Sequence, residues 1–194
     1  MKAHLRLIAV LAAFAAGAAA IAAVVVVAFP PAHTQPSAVG GPFRLLDQDG
    51  RRVTEADFRG KPFLVFFGFT HCPDICPTAL FEISEVLRRL GPNAANTAVL
   101  FISVDPERDT PAKLKEYLSS FHPRIVGLTG SPQEIADVEK AYRVYAKKVP
   151  LEGGDYTMDH SAIVYLMDKD GRFVAPFNLK RTADEAAADL RRRL

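Results

Sequence analysis

The sequence predicts an α/β domain in which strands alternate with helices over one central sheet, behind a single apolar N-terminal segment. Three observations point there. Residues 63–69 (FLVFFGF) and 98–104 (AVLFISV) are continuous apolar runs of strand length, the pattern of strands buried on both faces. Each is followed by a stretch whose apolar residues recur at three and four, beginning near a proline. Before and after this core, pairs of short apolar stretches are broken by an Asp-x-Asp-Gly cluster, a hairpin pattern.

From Leu7 to Phe29 no residue is charged. At 1.5 Å per residue this makes roughly 34 Å of helix, enough for a bilayer core of about 30 Å. Secretory cores are shorter, so residues 1–29 read as an uncleaved membrane anchor, with cleavage near Ala18–Ala20 as the alternative. Lys2 and Arg6 precede the span, which keeps the N-terminus in the cytoplasm and sends the rest across. The segment lacks the Arg- and Ser-rich amphipathic character of a mitochondrial transit peptide. A single-pass protein of a bacterial inner membrane, its domain facing the periplasm, is therefore expected. That compartment is oxidising, and two cysteines there tend to pair unless something holds them reduced.

Residues 30–42 (PPAHTQPSAVGGP) are a flexible tether, rich in Pro, Gly and small polar residues, and the functional domain is expected over residues 43–194. The chain has 24 Lys plus Arg against 22 Asp plus Glu. Residues 1–29 contain two of the basic residues and no acid, so the remainder is formally neutral. Neutrality argues against nucleic acid as a partner, which needs a basic face. Arg191, Arg192 and Arg193 read as solvated cations at the end of a last helix.

In chain order, Phe43–Leu46 and Arg51–Val53 flank the turn Asp47-Gln-Asp-Gly50. The first long strand, residues 63–69, leads to a helix with Pro77 at its first position, running through Leu80, Ile83, Val86, Leu87 and Leu90 to Gly91-Pro92. The second strand, residues 98–104, leads to a helix capped by Thr110-Pro111 and running to Phe121. A short third strand, Ile125–Leu128, precedes the capping box Ser131-Pro-Gln-Glu134 and a helix toward Lys147. Ala162–Met167 and Phe173–Pro176 form a closing hairpin around Asp168-Lys-Asp-Gly171, and Thr182-Ala-Asp-Glu185 caps the terminal helix. Strands separated by helices pair in parallel through right-handed crossovers, and the last hairpin adds antiparallel edges. The order is that of a thioredoxin-like sandwich with an added N-terminal β-hairpin.

The chemistry lies in Gly68-Phe-Thr-His-Cys72-Pro-Asp-Ile-Cys76-Pro-Thr78, between the first strand and the first helix. Spacing of i and i+4 puts both thiols on one face of a helical turn, and the unpaired N–H groups of a helix start favour thiolate. Two such sulfurs make a soft chelate for Cu(I) or Zn, or a reversible disulfide. A plain structural bridge is the bland alternative. It gains little here, because stabilisation grows only with the logarithm of loop length and a domain of this size needs no staple.

A soft metal on two thiolates wants a third ligand, and His160 in Tyr156-Thr-Met-Asp-His-Ser161 is the candidate. In a thioredoxin-like order the loop before the closing hairpin lies against the dithiol. Thioredoxin-like oxidoreductases carry a cis-proline there; this chain has Met158-Asp159-His160-Ser161, with no proline between Pro150 and Pro176. An imidazole facing two thiols suits a metal better than a mixed disulfide. Asp159 is expected to orient the ring or tune the site from behind it. His122 reads as a helix-end cation, His71 as a neighbour of Cys72 whose side chain diverges, and Met167 as core; Met158 is a second soft candidate. Residues 149–157 (VPLEGGDYT) read as a mobile loop that tightens when metal binds.

The segments Gly68–Pro77 and Asp159-His160-Ser161 resemble the signatures of the Sco/SenC family of copper chaperones. Asp57-Phe-Arg-Gly-Lys61 and Ser103-Val-Asp-Pro-Glu-Arg-Asp-Thr-Pro111 resemble family segments too. The resemblance implies a membrane-anchored thioredoxin-fold protein binding one copper, Cu(I) and in some states Cu(II), through Cys72, Cys76 and His160. It also implies help in building the dinuclear copper centre of cytochrome c oxidase subunit II, with a periplasmic copper carrier and a thioredoxin-like reductant as further partners. Asp105 and Asp109 are read as capping the Thr110 helix and satisfying loop amides. The competing reading is an enzyme, a thiol:disulfide oxidoreductase acting on the cysteines of that centre, for which His160 would be dispensable. A thiol peroxidase shares the fold but needs Pro and Thr before its reactive cysteine, whereas Pro77 and Thr78 follow Cys76.

Overall fold

Described in this computed structural model are residues 39–194, together with residue 14 and residues 16–18. The apolar segment of residues 7–29, apart from residues 14 and 16–18, and most of the tether thus lie outside the described residues. Among the described residues no helix is long and apolar enough to cross a membrane.

Chain order gives β1 (Arg44–Asp47), β2 (Arg52–Thr54), β3 (Phe63–Gly68), α1 (Ile75–Leu90), β4 (Ala98–Ser103), α2 (Pro111–Leu118), β5 (Ile125–Thr129), α3 (Pro132–Tyr142), β6 (Ala146–Pro150), β7 (Tyr156–His160), β8 (Val164–Met167), β9 (Phe173–Pro176) and α4 (Ala183–Arg191). Seven strands form one sheet in the order β2-β1-β5-β4-β3-β8-β9. The middle strands β3, β4 and β5 are parallel, with Phe63 opposite Ala98 and Val99 opposite Ile125. The edges are antiparallel, β1 pairing with β2 and β5, and β8 with β3 and β9. This is the expected thioredoxin-like sandwich with its extra hairpin.

Every residue of β3 is buried, as the continuous apolar run requires of a strand covered on both faces. α1 packs Leu80, Ile83, Leu87 and Leu90 onto it, the i, i+3, i+4 stripe of the sequence, with Cys76 at the head of the same stripe. On the sheet's other side Phe67, Tyr142 and Tyr165 meet with ring centroids 5.5 to 6.3 Å apart. The caps form as the sequence indicates: Thr110 accepts from Lys113 N–H, and Ser131 with Glu134 and Thr182 with Glu185 complete capping boxes. Both edge hairpins turn on the same device. Asp47 Oδ1 accepts the N–H groups of Asp49 and Arg51, Asp168 Oδ1 those of Asp170 and Arg172, and Gly50 and Gly171 each adopt φ 79°.

Three expectations are corrected. α1 begins at Ile75, so Pro77 is its third residue rather than its first; the missing N–H costs nothing there, because the first four amides of a helix have no partner inside it. The helix expected to run toward Lys147 stops at Tyr142, where Arg143 takes the left-handed conformation (φ 57°) and Val144 N–H bonds back to Glu139 O at 2.8 Å. Of the stretch read as a loop, residues 149–157, only the ends are strand: residues 149–150 and 156–157 belong to β6 and β7, and residues 151–155 form the turn between them. β6 and β7 pair antiparallel from Ala146 opposite His160 to Pro150 opposite Tyr156, forming a separate two-stranded sheet.

Candidate metal centre

The site lies where β3 gives way to α1. After Gly68 the chain turns, Cys72 N–H returning to Phe69 O at 3.3 Å, and α1 begins three residues later. Cys76, in its first turn, donates its N–H to Cys72 Sγ at 3.4 Å. A helix start offers this donor to no other backbone group, so the geometry of the turn and the i, i+4 spacing bring the sulfurs together. The two are unequal: Cys76 is fully buried and Cys72 half-buried, and both are free thiols. Burial pushes the Cys76 thiol well above its usual range, against the opposing hydrogen bond from Phe69 N–H. Gly68 makes room for it. A Cβ there would lie 2.9 Å from Cys76 Sγ and 2.6 Å from the Phe101 ring, closer than side chains pack.

His160 ends β7, with Nε2 3.7 Å from Cys76 Sγ. Its Nδ1 is 3.2 Å from the carbonyl oxygen of Ser161, which can only accept, so Nδ1 carries the proton and Nε2 presents its lone pair to the sulfurs. The edge of the ring meets Phe69, centroids 5.7 Å apart at 87°. Burial lowers the imidazole's proton affinity, opposed by the Ser161 carbonyl and by the charge of Asp159. The ligand atoms of Cys72, Cys76 and His160 all lie within 4.8 Å of one another, the one such group of metal-binding side chains among the described residues. Three ligands around an ion, each roughly 2.0–2.3 Å from it, sit about 4 Å apart. The trio therefore needs little movement to hold one soft ion.

Other candidates fall elsewhere. Asp159 alternates to the outer face of β7 and is exposed, acting on His160 through its charge while Ser161 orients the ring. His71 is exposed and bonds Thr70 Oγ1 through Nδ1 at 3.2 Å. His122 is not the expected cation: its Nδ1 accepts Arg124 N–H at 3.2 Å, and burial together with Arg88 and Arg124 lowers its proton affinity. Met158 packs half-buried against the core and Met167 is inside it.

One loop holds both halves of the site, and only part of its work was visible in the sequence. Thr110, not Asp105 or Asp109, caps α2. Asp109, fully buried, accepts Thr70 N–H at 3.0 Å, Thr70 Oγ1–H at 2.6 Å and Ser103 Oγ–H at 2.6 Å, so it does satisfy a loop amide, two residues before Cys72. Asp105 instead accepts the Tyr156 hydroxyl at 2.8 Å and pairs with Arg108. The Arg108 guanidinium stacks 3.7 Å over the Tyr156 ring and donates to Tyr156 O at 2.9 Å. Lys148, also beside that ring, pairs with Glu107. The loop between β4 and α2 thus grips the cysteine turn with one carboxylate and the histidine hairpin with another.

A family profile described as SCO1/SenC matches residues 31–194. The chain belongs to the SCO1/SenC family. It is 46% identical over 149 residues to protein SCO1 homolog 1, mitochondrial, of Arabidopsis thaliana, a match that spans 76% of this chain and 45% of that one. Its fold is similar to that of copper-bound ScoI from Bradyrhizobium japonicum, with 67% identity and a TM-score of 0.79 over 80% of this chain and 99% of that one. BsSco, a Sco family cytochrome c oxidase assembly protein with a disulfide switch, gives a TM-score of 0.63 at 28% identity over 81% of this chain and 95% of that one. Within this SCO1/SenC chain the thiols and the imidazole were legible from sequence. Thr70, Arg108 and Tyr156 were not, because each acts on a segment tens of residues away.

Proposed function

We propose that this chain is a membrane-anchored periplasmic copper chaperone, holding one copper ion on Cys72, Cys76 and His160 and delivering it during assembly of the dinuclear copper centre of cytochrome c oxidase subunit II. The observation that carries the reading is the meeting of two thiols and an imidazole lone pair within 4.8 Å. Two thiolates with one imidazole are a soft set suited to Cu(I), and an added oxygen ligand would adapt it to Cu(II). The copper-bound ScoI relative supports the metal, and BsSco supports oxidase assembly and a redox role for the cysteine pair. Residues 1–29 serve as the inner-membrane anchor, 30–42 as the tether and 43–194 as the copper-binding domain. A periplasmic copper carrier loads the site and a thioredoxin-like protein reduces it.

Delivery proceeds by ligand exchange: a thiolate of the receiving protein bonds to Cu(I) as a sulfur of this chain lets go, with no change of oxidation state. Asp159 tunes the site through its charge. The test is a Cu(I) titration of the reduced chain against a chromophoric chelator, beside Cys72→Ser, Cys76→Ser and His160→Ala. Loss of tight one-to-one binding in all three supports the reading, and wild-type binding by His160→Ala overturns it.

One observation favours a second reading, thiol:disulfide reductase. Cys72 is reachable and Cys76 lies buried behind it, the arrangement of an attacking and a resolving thiol. Reduction of a disulfide in the subunit II domain, lost in either cysteine variant and kept in His160→Ala, would favour this second reading.

A further inference from the structure

Beside the metal centre lies a groove of about 540 Å³ between α1 and the chain around β8 and β9. One wall is Ile75 and Ala79; the other is Ile163, Val164, Phe177 and Leu179. Ile75 stands between the two cysteines in sequence and Ile163 three residues after His160, so chain neighbours of the ligands, though not the ligands themselves, line the groove. Ile75 is 57% exposed and Ile163 43%, large apolar side chains left in water. Tyr145, 52% exposed, borders His160 on the hairpin side, where it exchanges two hydrogen bonds with Ser161. Exposed apolar groups collected around one site mark a binding face.

Two of the lining residues also offer backbone. Ala162 and Ile163, between β7 and β8, are exposed, and among the described residues their N–H and C=O groups make no hydrogen bond within the chain. Pairing resumes immediately beyond, where Phe177 N–H reaches Val164 O at 2.7 Å. Unpaired backbone flanked by apolar pockets is what an added strand of another protein uses.

The chemistry of delivery selects the occupant. Ligand exchange brings a partner's sulfur to bonding distance of the metal, about 2.3 Å. Cys76 is fully buried while Cys72 and His160 are both half-buried, so a partner's sulfur can approach only past those two, and the lining residues Ile75 and Ile163 lie close to them in the chain. We infer that the groove seats an extended segment of the copper-receiving protein, hydrogen-bonded to Ala162 and Ile163, with an apolar side chain between Ile75 and Ile163 and its thiol beside Cys72. The inference rests on the chaperone reading above. As the new sulfur–copper bond forms, the incoming thiol gives up its proton, the Cys72–copper bond breaks, the Cys72 thiolate takes up a proton, and copper stays Cu(I).

The test uses the full chain loaded with Cu(I) and the apo copper domain of cytochrome c oxidase subunit II. Ile163→Asp and Thr78→Arg, both exposed groove positions, are compared with Leu151→Asp, an exposed apolar position outside the groove. The groove variants should keep wild-type Cu(I) affinity in the chelator titration yet lose about tenfold or more in complex affinity and transfer rate, with Leu151→Asp unchanged. In the wild-type complex, amide exchange at Ala162 and Ile163 should slow. Groove variants that transfer like wild type overturn the inference alone. Failure of every protein to transfer, wild type and Leu151→Asp included, overturns the chaperone reading and this inference with it.

Discussion

The carboxylate of Asp109 receives both the amide and the hydroxyl of Thr70, at 3.0 and 2.6 Å, and so fixes the turn that carries Cys72. Asp109→Ala would leave the Thr70 amide and the Ser103 hydroxyl without their buried acceptor. We expect a loss of about 3 kcal/mol of stability by urea denaturation, with weaker Cu(I) binding in the chelator titration. Asp109→Asn, which keeps an acceptor of the same shape, should recover part of both.

Gly68 is the second point of strain relief. Gly68→Ala places a methyl against Cys76 Sγ and the Phe101 ring, both buried and unable to retreat. The expected cost is about 1–3 kcal/mol in the denaturation midpoint, with Cu(I) affinity reduced because Cys76 is displaced. Wild-type affinity in a folded Gly68→Ala protein would contradict this.

Tyr156 ties the histidine hairpin to the loop after β4. Tyr156→Ala removes the hydroxyl to Asp105 and the ring under Arg108. Amide exchange across β6 and β7 should speed up, and Cu(I) affinity should fall by about tenfold as His160 loses its fixed position. In the wild-type chain, exchange over residues 149–157 should slow when copper is bound; equal exchange with and without copper would refute that coupling.

Glu139 on α3 provides a pH test away from the metal. Burial raises its carboxyl to about 7, from an ordinary value of 4.5. The folded state therefore holds a proton that the unfolded chain releases, so stability falls as pH rises from about 4.5 through about 7. Glu139→Gln should stabilise the protein at pH 8 by on the order of 1 kcal/mol, since the group is only partly buried, and change nothing at pH 4. The check is urea midpoints at the two pH values.

The parts of this protein that were legible in its sequence are those whose signal is local. The i, i+4 cysteines, the buried runs of β3 and β4, the capping boxes at Ser131 and Thr182 and the Asp-x-Asp-Gly turns are each contained within a few residues. The β6–β7 hairpin was not legible, because Ala146–Pro150 is only half-buried at two of its five positions and carries two adjacent lysines. Nor was the end of α3, where arginine adopts a backbone conformation that glycine usually supplies. The grip of Arg108 on Tyr156 joins residues 48 apart, and neither neighbourhood announces the other.

The hairpin's independence from the main sheet bears on how the site can change over time. The cysteines are rooted in the β3–α1 framework, whose backbone ladder runs through the core, while the imidazole rides on a two-stranded arm joined to it by side chains and connecting chain. Lengthening the tip around Gly153-Gly154, or exchanging residues on the arm's outer face, leaves the central ladder intact. The imidazole's share of the grip can thus be adjusted apart from the integrity of the fold, whereas the thiols' share, tied to the core at Gly68 and Asp109, cannot.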